Sequence, residues 1–484
     1  MPLPMPVTDA VFLLAESREH PTHVAGLQLF RTPDGAGPDF LSEAYRELLT
    51  HTEISRTMRR RPIRTVGTLG QWAWQEDPDV ELDYHVRLSA LPRPGRVREL
   101  LELVSRLHGT LLDRHRPLWE FHLVEGLGDG RFATYVKVHH ALMDGVSAVR
   151  KLSQGLTYDP ALPALPPWSP VRHPAGADSP GDGGSAADGN SHGCGVPGLD
   201  SVRAVAGGVA DLVGAPSALG KALLGLARDN GATGPFDAPR TMFNVPIGGA
   251  RRFAGQSWSL SRIRAVAKAA DVTVNDVAVT MCSGGLRRYL IDHDALPDRS
   301  LVAMLPVSLR GVSDATPGSA DSFGGNAFGA ILCDLATDQP DPGARLARVS
   351  ASTSSAKAMM RGLSQAEMLG LTSFLAGGMA LAPIPGLGRR LRPPFNLIIS
   401  NVPGSREVQY FNGAELMESY PLSIPADGQA INITLTSYVD QLAFGIVGCR
   451  RSVPHLQRLL DHLDGELGAL ELATGCVSTG HVRP

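Results

Sequence analysis

The stretch Arg131–Leu152, RFATYVKVHHALMDGVSAVRKL, decides how the chain is read. From Arg131 to His140 aromatic and β-branched residues alternate with others, which is the period of a strand. From Val146 to Leu152 the apolar residues return to helical spacing. Strand, tight polar turn and helix are thus laid end to end, and the turn carries His139-His140-Ala141-Leu142-Met143-Asp144-Gly145. Adjacent strand residues point to opposite faces, so only one of the two histidines can face a given cavity. Asp144 stands four residues beyond His140, and Gly145 offers permissive backbone geometry for the turn. A short carboxylate there can accept backbone N–H groups or bind a cation from elsewhere in the fold.

Three chemistries compete for this turn. A metal site could use His139, His140 and Asp144, but adjacent strand histidines diverge, and no helical HExxH spacing or further ligand cluster accompanies them. Purely structural histidines are the default for any single His, yet a doublet followed by Asp-Gly is less generic. A neutral imidazole, with its ordinary pKa of about 6.5, suits proton abstraction from a hydroxyl at neutral pH. The turn therefore reads as a general base with no metal.

Working outward, Leu101–Leu112 reads as an amphipathic helix, and the first 165 residues as mixed α/β. Ser169 to Gly198 is rich in Pro, Gly, Ser and Asp and reads as a linker. Val202 to Ala227 is small and apolar, fitting crossover helices or a membrane-contacting segment. In the second half 260–270 and 275–290 read as helices, 301–307, 395–400 and 430–439 as strands, and 452–472 as a closing helix. The expected division is an N-terminal α/β unit over 1–168, a linker and crossover region over 169–240, and a C-terminal α/β unit over 241–484.

The bulk properties narrow the function by exclusion. The net charge of −3 offers no clustered basic excess, so nucleic acid is not an expected partner. Five scattered cysteines without a CxxC pair indicate neither a disulfide framework nor a thiolate zinc site, which fits a reducing cytoplasm. The start MPLPMPVTDAVFLLAESREH lacks the features of a signal peptide. The longest apolar run, Met368 to Pro385, is broken by Gly377, Gly378, Pro383 and Pro385, so no membrane span is expected.

HHALMDG matches the HHxxxDG pattern of the coenzyme-A-dependent acyltransferase superfamily, and further segments narrow the likeness. Pro117-Leu118-Trp119 resembles the PLW motif of bacterial wax ester synthase/diacylglycerol acyltransferases. Val274-Asn275-Asp276-Val277 resembles that family's Asn-Asp motif, and Ser400-Asn401-Val402-Pro403-Gly404 its SNVPG segment. Tyr420-Pro421, Gly428-Gln429-Ala430 and Asn432-Ile433-Thr434 also resemble its C-terminal region. The motifs occur in family order from about Asp9 to Leu470. One departure is Ser405, where the family commonly has a second proline.

The resemblance implies two chloramphenicol-acetyltransferase-like α/β domains, each a mixed sheet flanked by helices, with an active-site tunnel at their interface. It implies His140 as base, His139 packed away from the cavity, and Asp144 paired with an arginine, for which Arg310 is the candidate. Asn275 becomes a candidate oxyanion donor, although helix capping is the competing reading. Trp119, Ser400 and Asn401 become candidate substrate-side residues, with packing the competing reading for Trp119. The implied donor is acyl-coenzyme A, a substrate rather than a cofactor. The implied acceptor is diacylglycerol or a long-chain alcohol, with the protein lying peripherally on the inner membrane face or a lipid droplet, contacted through Val202–Ala227 or Met368–Pro385. The rival readings are a condensation-type enzyme using carrier-protein thioesters and a non-catalytic lipid-droplet scaffold.

Overall fold

In a computed structural model the chain is described over residues 2–64, 68, 70–170, 234, 236–308, 328–361 and 392–476. The expected contact segments Val202–Ala227 and Met368–Pro385, and nearly all of the linker, lie outside the described residues.

Two six-stranded sheets organise the molecule. The strands, in chain order, are β1 (Leu3–Pro4), β2 (His23–Arg31), β3 (Arg60–Ile63), β4 (Ala73–Glu76), β5 (Val86–Ala90), β6 (Trp119–Glu125), β7 (Arg131–His139), β8 (Arg251–Ser259), β9 (Val302–Ser308), β10 (Phe328–Asp334), β11 (Leu397–Val402), β12 (Tyr410–Phe411), β13 (Ala414–Leu422), β14 (Ile431–Tyr438) and β15 (Gln441–Cys449). The first sheet has the order β12-β13-β2-β7-β6-β5, the second β10-β9-β11-β14-β15-β8, and β1, β4 and β3 form a small third sheet. Both large sheets are mixed: β5 runs parallel to β6, and β11 runs parallel to β9 and β14.

The helices are α1 (Val7–Ala15), α2 (Phe40–Thr50), α3 (Leu82–His85), α4 (Val97–His108), α5 (Gly145–Gln154), α6 (Leu260–Ala269), α7 (Val274–Ile291), α8 (Pro342–Arg361) and α9 (Arg458–Ala473). The helix expected over 101–112 is α4, set four residues earlier. The Arg96 backbone N–H donates to Glu99 Oε2 at 2.7 Å to start it, and Gly109 ends it. The closing helix begins six residues later than expected. Pro454 and the left-handed His455 (φ 52°) occupy a turn before it.

Sheet membership crosses the middle of the sequence. β13, from the C-terminal half, pairs antiparallel with β2 from Glu415–Arg31 to Leu422–Ala25 and so extends the N-terminal sheet. The seam is tight: a Cβ on Gly445 of β15 would lie 1.9 Å from the Pro421 carbonyl oxygen of β13. Around it Leu27, Tyr135, Phe253, Tyr420 and Val447 form one apolar cluster drawn from both sheets. A larger core packs α6, α7 and α9 against the second sheet. α7 and α9 come close because Gly284 has no side chain to overlap Glu466, which forms a buried ion pair with Arg345 at 2.6 Å.

Candidate active site

The His139–Gly145 turn leaves the end of β7, a strand buried along nearly its whole length between β2 and β6. His139 is fully buried. Its Nδ1 accepts the Ala141 backbone N–H at 3.0 Å, so the ring proton sits on Nε2. Nε2 lies 3.0 Å from Thr22 Oγ1 and 3.3 Å from Glu16 Oε1. Thr22 Oγ1 in turn donates to the Phe12 carbonyl at 3.0 Å, which leaves its lone pairs to receive the His139 N–H.

His140 takes different partners. Its backbone N–H donates to the Thr22 carbonyl at 2.9 Å. Its imidazole stacks on Phe12, with ring centroids 4.0 Å apart and planes 19° from parallel. Nδ1 is buried near the residue's own backbone but outside hydrogen-bond geometry. The imidazole pKa is lowered to about 4, chiefly by burial; the nearby Asp144 carboxylate only partly offsets this, and His139 adds a smaller lowering. At neutral pH the ring is uncharged and able to accept a proton.

Asp144 is the N-cap of α5, its Oδ1 accepting the Ser147 backbone N–H at 2.6 Å. The expected partner Arg310 lies outside the described residues. Gly145 corrects the sequence reading: it is the first residue of α5, and its φ is not among the left-handed ones. The turn closes without special backbone freedom, and a Cβ on Gly145 would meet open space.

The Asn-Asp and SNVPG segments meet across the second sheet. Asn401 Nδ2 donates to Asn275 Oδ1 at 3.2 Å. Asn275 is not the cap of α7. Thr273 holds that position, its hydroxyl accepting the Asp276 N–H while the Asp276 carboxylate accepts the Thr273 N–H at 3.0 Å. Buried Asp276 also accepts from Thr353 of α8 at 2.6 Å, so it joins helices rather than facing a substrate. Ser400 lies on β11, paired with Thr434 and partly exposed. Asn401 lies on β11 of the second sheet and Asn275 on α7, whereas His140 follows β7 of the first sheet; α5, which continues the His140 turn, contacts β11.

Trp119 sits in the core, 1 % exposed. Its indole N–H donates to the Met58 carbonyl at 2.8 Å, and its ring stacks between His85 and Trp168. A cavity of 620 Å³ opens between α5 and the segment after β11, with Val146, Arg150, Ser169 and Gly404 in its walls. His140 is not part of that lining. Among the described residues no group of three or more His, Cys, Asp or Glu is placed to hold a metal, and no helix is long and apolar enough to cross a membrane.

Sequence reasoning missed Phe12, Glu16, Thr22 and Arg114, which surround the two histidines. The signal was a carboxylate, Glu16, directly after the apolar run Val11–Ala15. It is 2 % exposed at its side chain and is held by Arg114 Nε and Nη2 at 3.0 and 2.9 Å.

Comparison with known proteins bears on this arrangement. Residues 5–278 match the wax ester synthase/diacylglycerol acyltransferase catalytic domain, and 324–471 match the C-terminal domain of the same family. A putative diacylglycerol O-acyltransferase of Mycobacterium tuberculosis is 51% identical, over 96% of this chain and 99% of its own. A probable diacylglycerol O-acyltransferase of the same organism is 50% identical, over 98% and 100%. Among solved structures, the wax ester synthase/diacylglycerol acyltransferase from Marinobacter aquaeolei VT8 is 38% identical with a TM-score of 0.74, covering 98% of this chain and 100% of that one. The starter condensation domain of rhizomide synthetase, solved with C8-CoA, is 14% identical with a TM-score of 0.56 over 98% and 95% of the two chains, a likeness of fold alone.

Proposed function

The chain belongs to the wax ester synthase/diacylglycerol acyltransferase family, and we propose that it moves an acyl group from coenzyme A to the hydroxyl of diacylglycerol or a long-chain alcohol, with His140 as the base. The observation that carries this reading is the state of His140. Its imidazole is neutral, stacked and held on a turn whose backbone is fixed on both sides. The acyltransferase relatives and the Marinobacter enzyme support the reaction class.

In this mechanism His140 takes the proton from the acceptor hydroxyl as its oxygen bonds to the thioester carbonyl carbon. The carbonyl oxygen gains the negative charge of a tetrahedral intermediate, which preorganised donors stabilise. Asn275 suits that role, because its Oδ1 is occupied by Asn401 and its N–H groups are left to donate. Collapse breaks the carbon–sulfur bond, and the imidazolium returns its proton to the departing thiolate. Neither step requires an acyl-enzyme or a bound cofactor. The oily acceptor and product favour a protein that works peripherally at a membrane or lipid-droplet surface.

The test is release of free coenzyme A from palmitoyl-coenzyme A, with dioleoylglycerol or hexadecanol as acceptor. Acceptor-dependent release that vanishes in His140→Ala is the expected result, and the two acceptors are ranked by it. Release that persists in a folded His140→Ala variant would remove the base assignment. No release from folded wild type with either acceptor would overturn the substrate assignment and favour a carrier-protein thioester as donor.

A further inference from the structure

We propose that α1 is the positioning element of the catalytic base: Glu16, clamped by Arg114, and Phe12, stacked on the imidazole, set the orientation and solvation of His140. This rests on the reading of His140 as base given above.

A helix leaves its last carbonyls without intrahelical partners. In α1 the Leu13 carbonyl is taken by Arg114 Nη2 at 2.8 Å, and the Phe12 carbonyl, which accepts the Glu16 backbone N–H, also accepts Thr22 Oγ1–H at 3.0 Å. The Arg114 cation at this helix end also complements the helix dipole. Glu16 then ties the set together, taking Arg114 on one oxygen and the Thr22 backbone N–H, at 3.3 Å, on the other. That second oxygen is also the one nearest His139 Nε2.

These contacts reach His140 through Thr22, His139 and Phe12. Thr22, fixed by Glu16 and Phe12, holds the His140 backbone N–H through its carbonyl. His139, fixed by Thr22, Glu16 and the Ala141 N–H, sets the preceding residue. The helix so anchored presents Phe12 to the face of the reacting ring. A buried ion pair is weak evidence for stability, since apolar side chains of the same volume often serve as well. Its directional contacts do something an apolar cluster does not: they fix both the ring tautomer of His139 and the distance of α1 from the turn. Reacting groups tolerate little misplacement, so this control reaches the rate.

Glu16 is 2 % exposed at the side chain, and its carboxyl is held below the usual range although burial alone would raise it; the His139 contact, Arg114 and the Thr22 N–H outweigh burial. The titratable groups acting on His140 itself are Asp144 and His139. Replacing Phe12 alters neither, so any shift in the His140 titration that follows reports solvation of its face.

The experiment compares steady-state kinetics of full-length wild type, Glu16→Gln, Phe12→Leu, Phe12→Tyr and His140→Ala, using palmitoyl-coenzyme A with whichever acceptor wild type turns over. Glu16→Gln places an amide beside the Arg114 guanidinium or the Thr22 N–H, and kcat should fall about tenfold or more with KM within about twofold. Phe12→Leu lets water reach one face of the imidazolium. The acid limb of its kcat/KM profile should move up by about one pH unit, while Phe12→Tyr keeps the wild-type limb. An inactive His140→Ala beside Glu16→Gln and Phe12→Leu variants of wild-type kcat and pH profile would overturn this inference alone. An active His140→Ala would overturn the base assignment and the inference with it. Should Glu16→Gln fail to fold by circular dichroism, the Phe12 pair decides.

Discussion

Asn401 reaches across 3.2 Å from β11 to donate its side-chain amide to Asn275 Oδ1, in the first turn of α7. The bond fixes which way the Asn275 amide points, because an amide offers one acceptor and one donor end. Asn275→Asp keeps the shape but turns the donor end into an acceptor. We expect kcat to fall about 10²- to 10³-fold in Asn275→Asp and Asn275→Ala, with a smaller loss in Asn401→Ala, which only orients. Steady-state kinetics at saturating palmitoyl-coenzyme A reads this. Wild-type kcat in Asn275→Ala would assign the residue to packing.

Asp144 caps α5 through the Ser147 N–H, and its charge also acts on His140. The two roles separate by substitution. Asp144→Ala should cost about 1 kcal/mol in urea denaturation, the usual worth of such a cap. Asp144→Asn retains the cap and removes the charge. A stability loss that remains in Asp144→Asn measures ion pairing, for which Arg310 remains our proposed partner, and Arg310→Ala should then add little to it. Full additivity of the two changes would exclude that pair.

The first sheet buries histidines that stay neutral. Burial pushes His108 down to about 3 and His140 to about 4, and His23, His85 and His122 are lowered for the same first reason. Above a pH of about 6.5 both folded and unfolded chains hold these rings neutral, and their contribution is intact. As pH falls below that value the unfolded chain binds protons the folded one refuses. Stability then drops, each ring adding a slope approaching about 1.4 kcal/mol per pH unit until its folded pKa is reached. Glu120 acts in the same direction at lower pH. Its burial would raise it, but His122, Lys137 and Arg87 hold it down to about 2, so its contribution is lost as pH falls through that value. Urea midpoints should therefore decline from about pH 7 to about pH 4.5. His108→Gln, which can still accept from the Tyr135 hydroxyl and donate to the Ser423 carbonyl, should flatten the decline. Equal slopes in the two proteins would show that His108 is not among the groups responsible.

What could be read from the residues alone follows the range of the interactions. β7, α6 and α7 were legible because their period is local, although the cap of α7 is Thr273 with Asp276 and not Asn275. The strand–turn–helix around His139–Gly145 was legible as a motif, as was a backbone-accepting Asp144. α8 escaped notice because SASTSSAKAMM carries too few large apolar residues to show a stripe. The partnership of Glu16 with Arg114 spans 98 residues, and that of Asn275 with Asn401 spans 126. Nothing in local pattern connects positions so far apart, and the same holds for the pairing of 414–422 with 23–31.

That long-range pairing makes the last prediction. β13 leaves the second half of the chain to join the first sheet, and β15 of the second sheet passes directly over it. The crossing is possible because Gly445 presents no side chain to the Pro421 carbonyl, 1.9 Å from where a Cβ would stand. Backbone, unlike the end of a flexible side chain, cannot yield locally. Gly445→Ala must push β15 from β13 and open the cluster of Leu27, Phe253, Tyr420 and Val447. The cost should reach or exceed the about 1–3 kcal/mol typical of overpacking, read as a lowered urea midpoint. Gly465→Ala, on α9 with open space around its would-be Cβ, is the matched control and should stabilise slightly by helix propensity. A Gly445→Ala protein as stable as wild type would mean that the two sheets are not held at this distance, and that the exchange of β13 does not fix how they sit together.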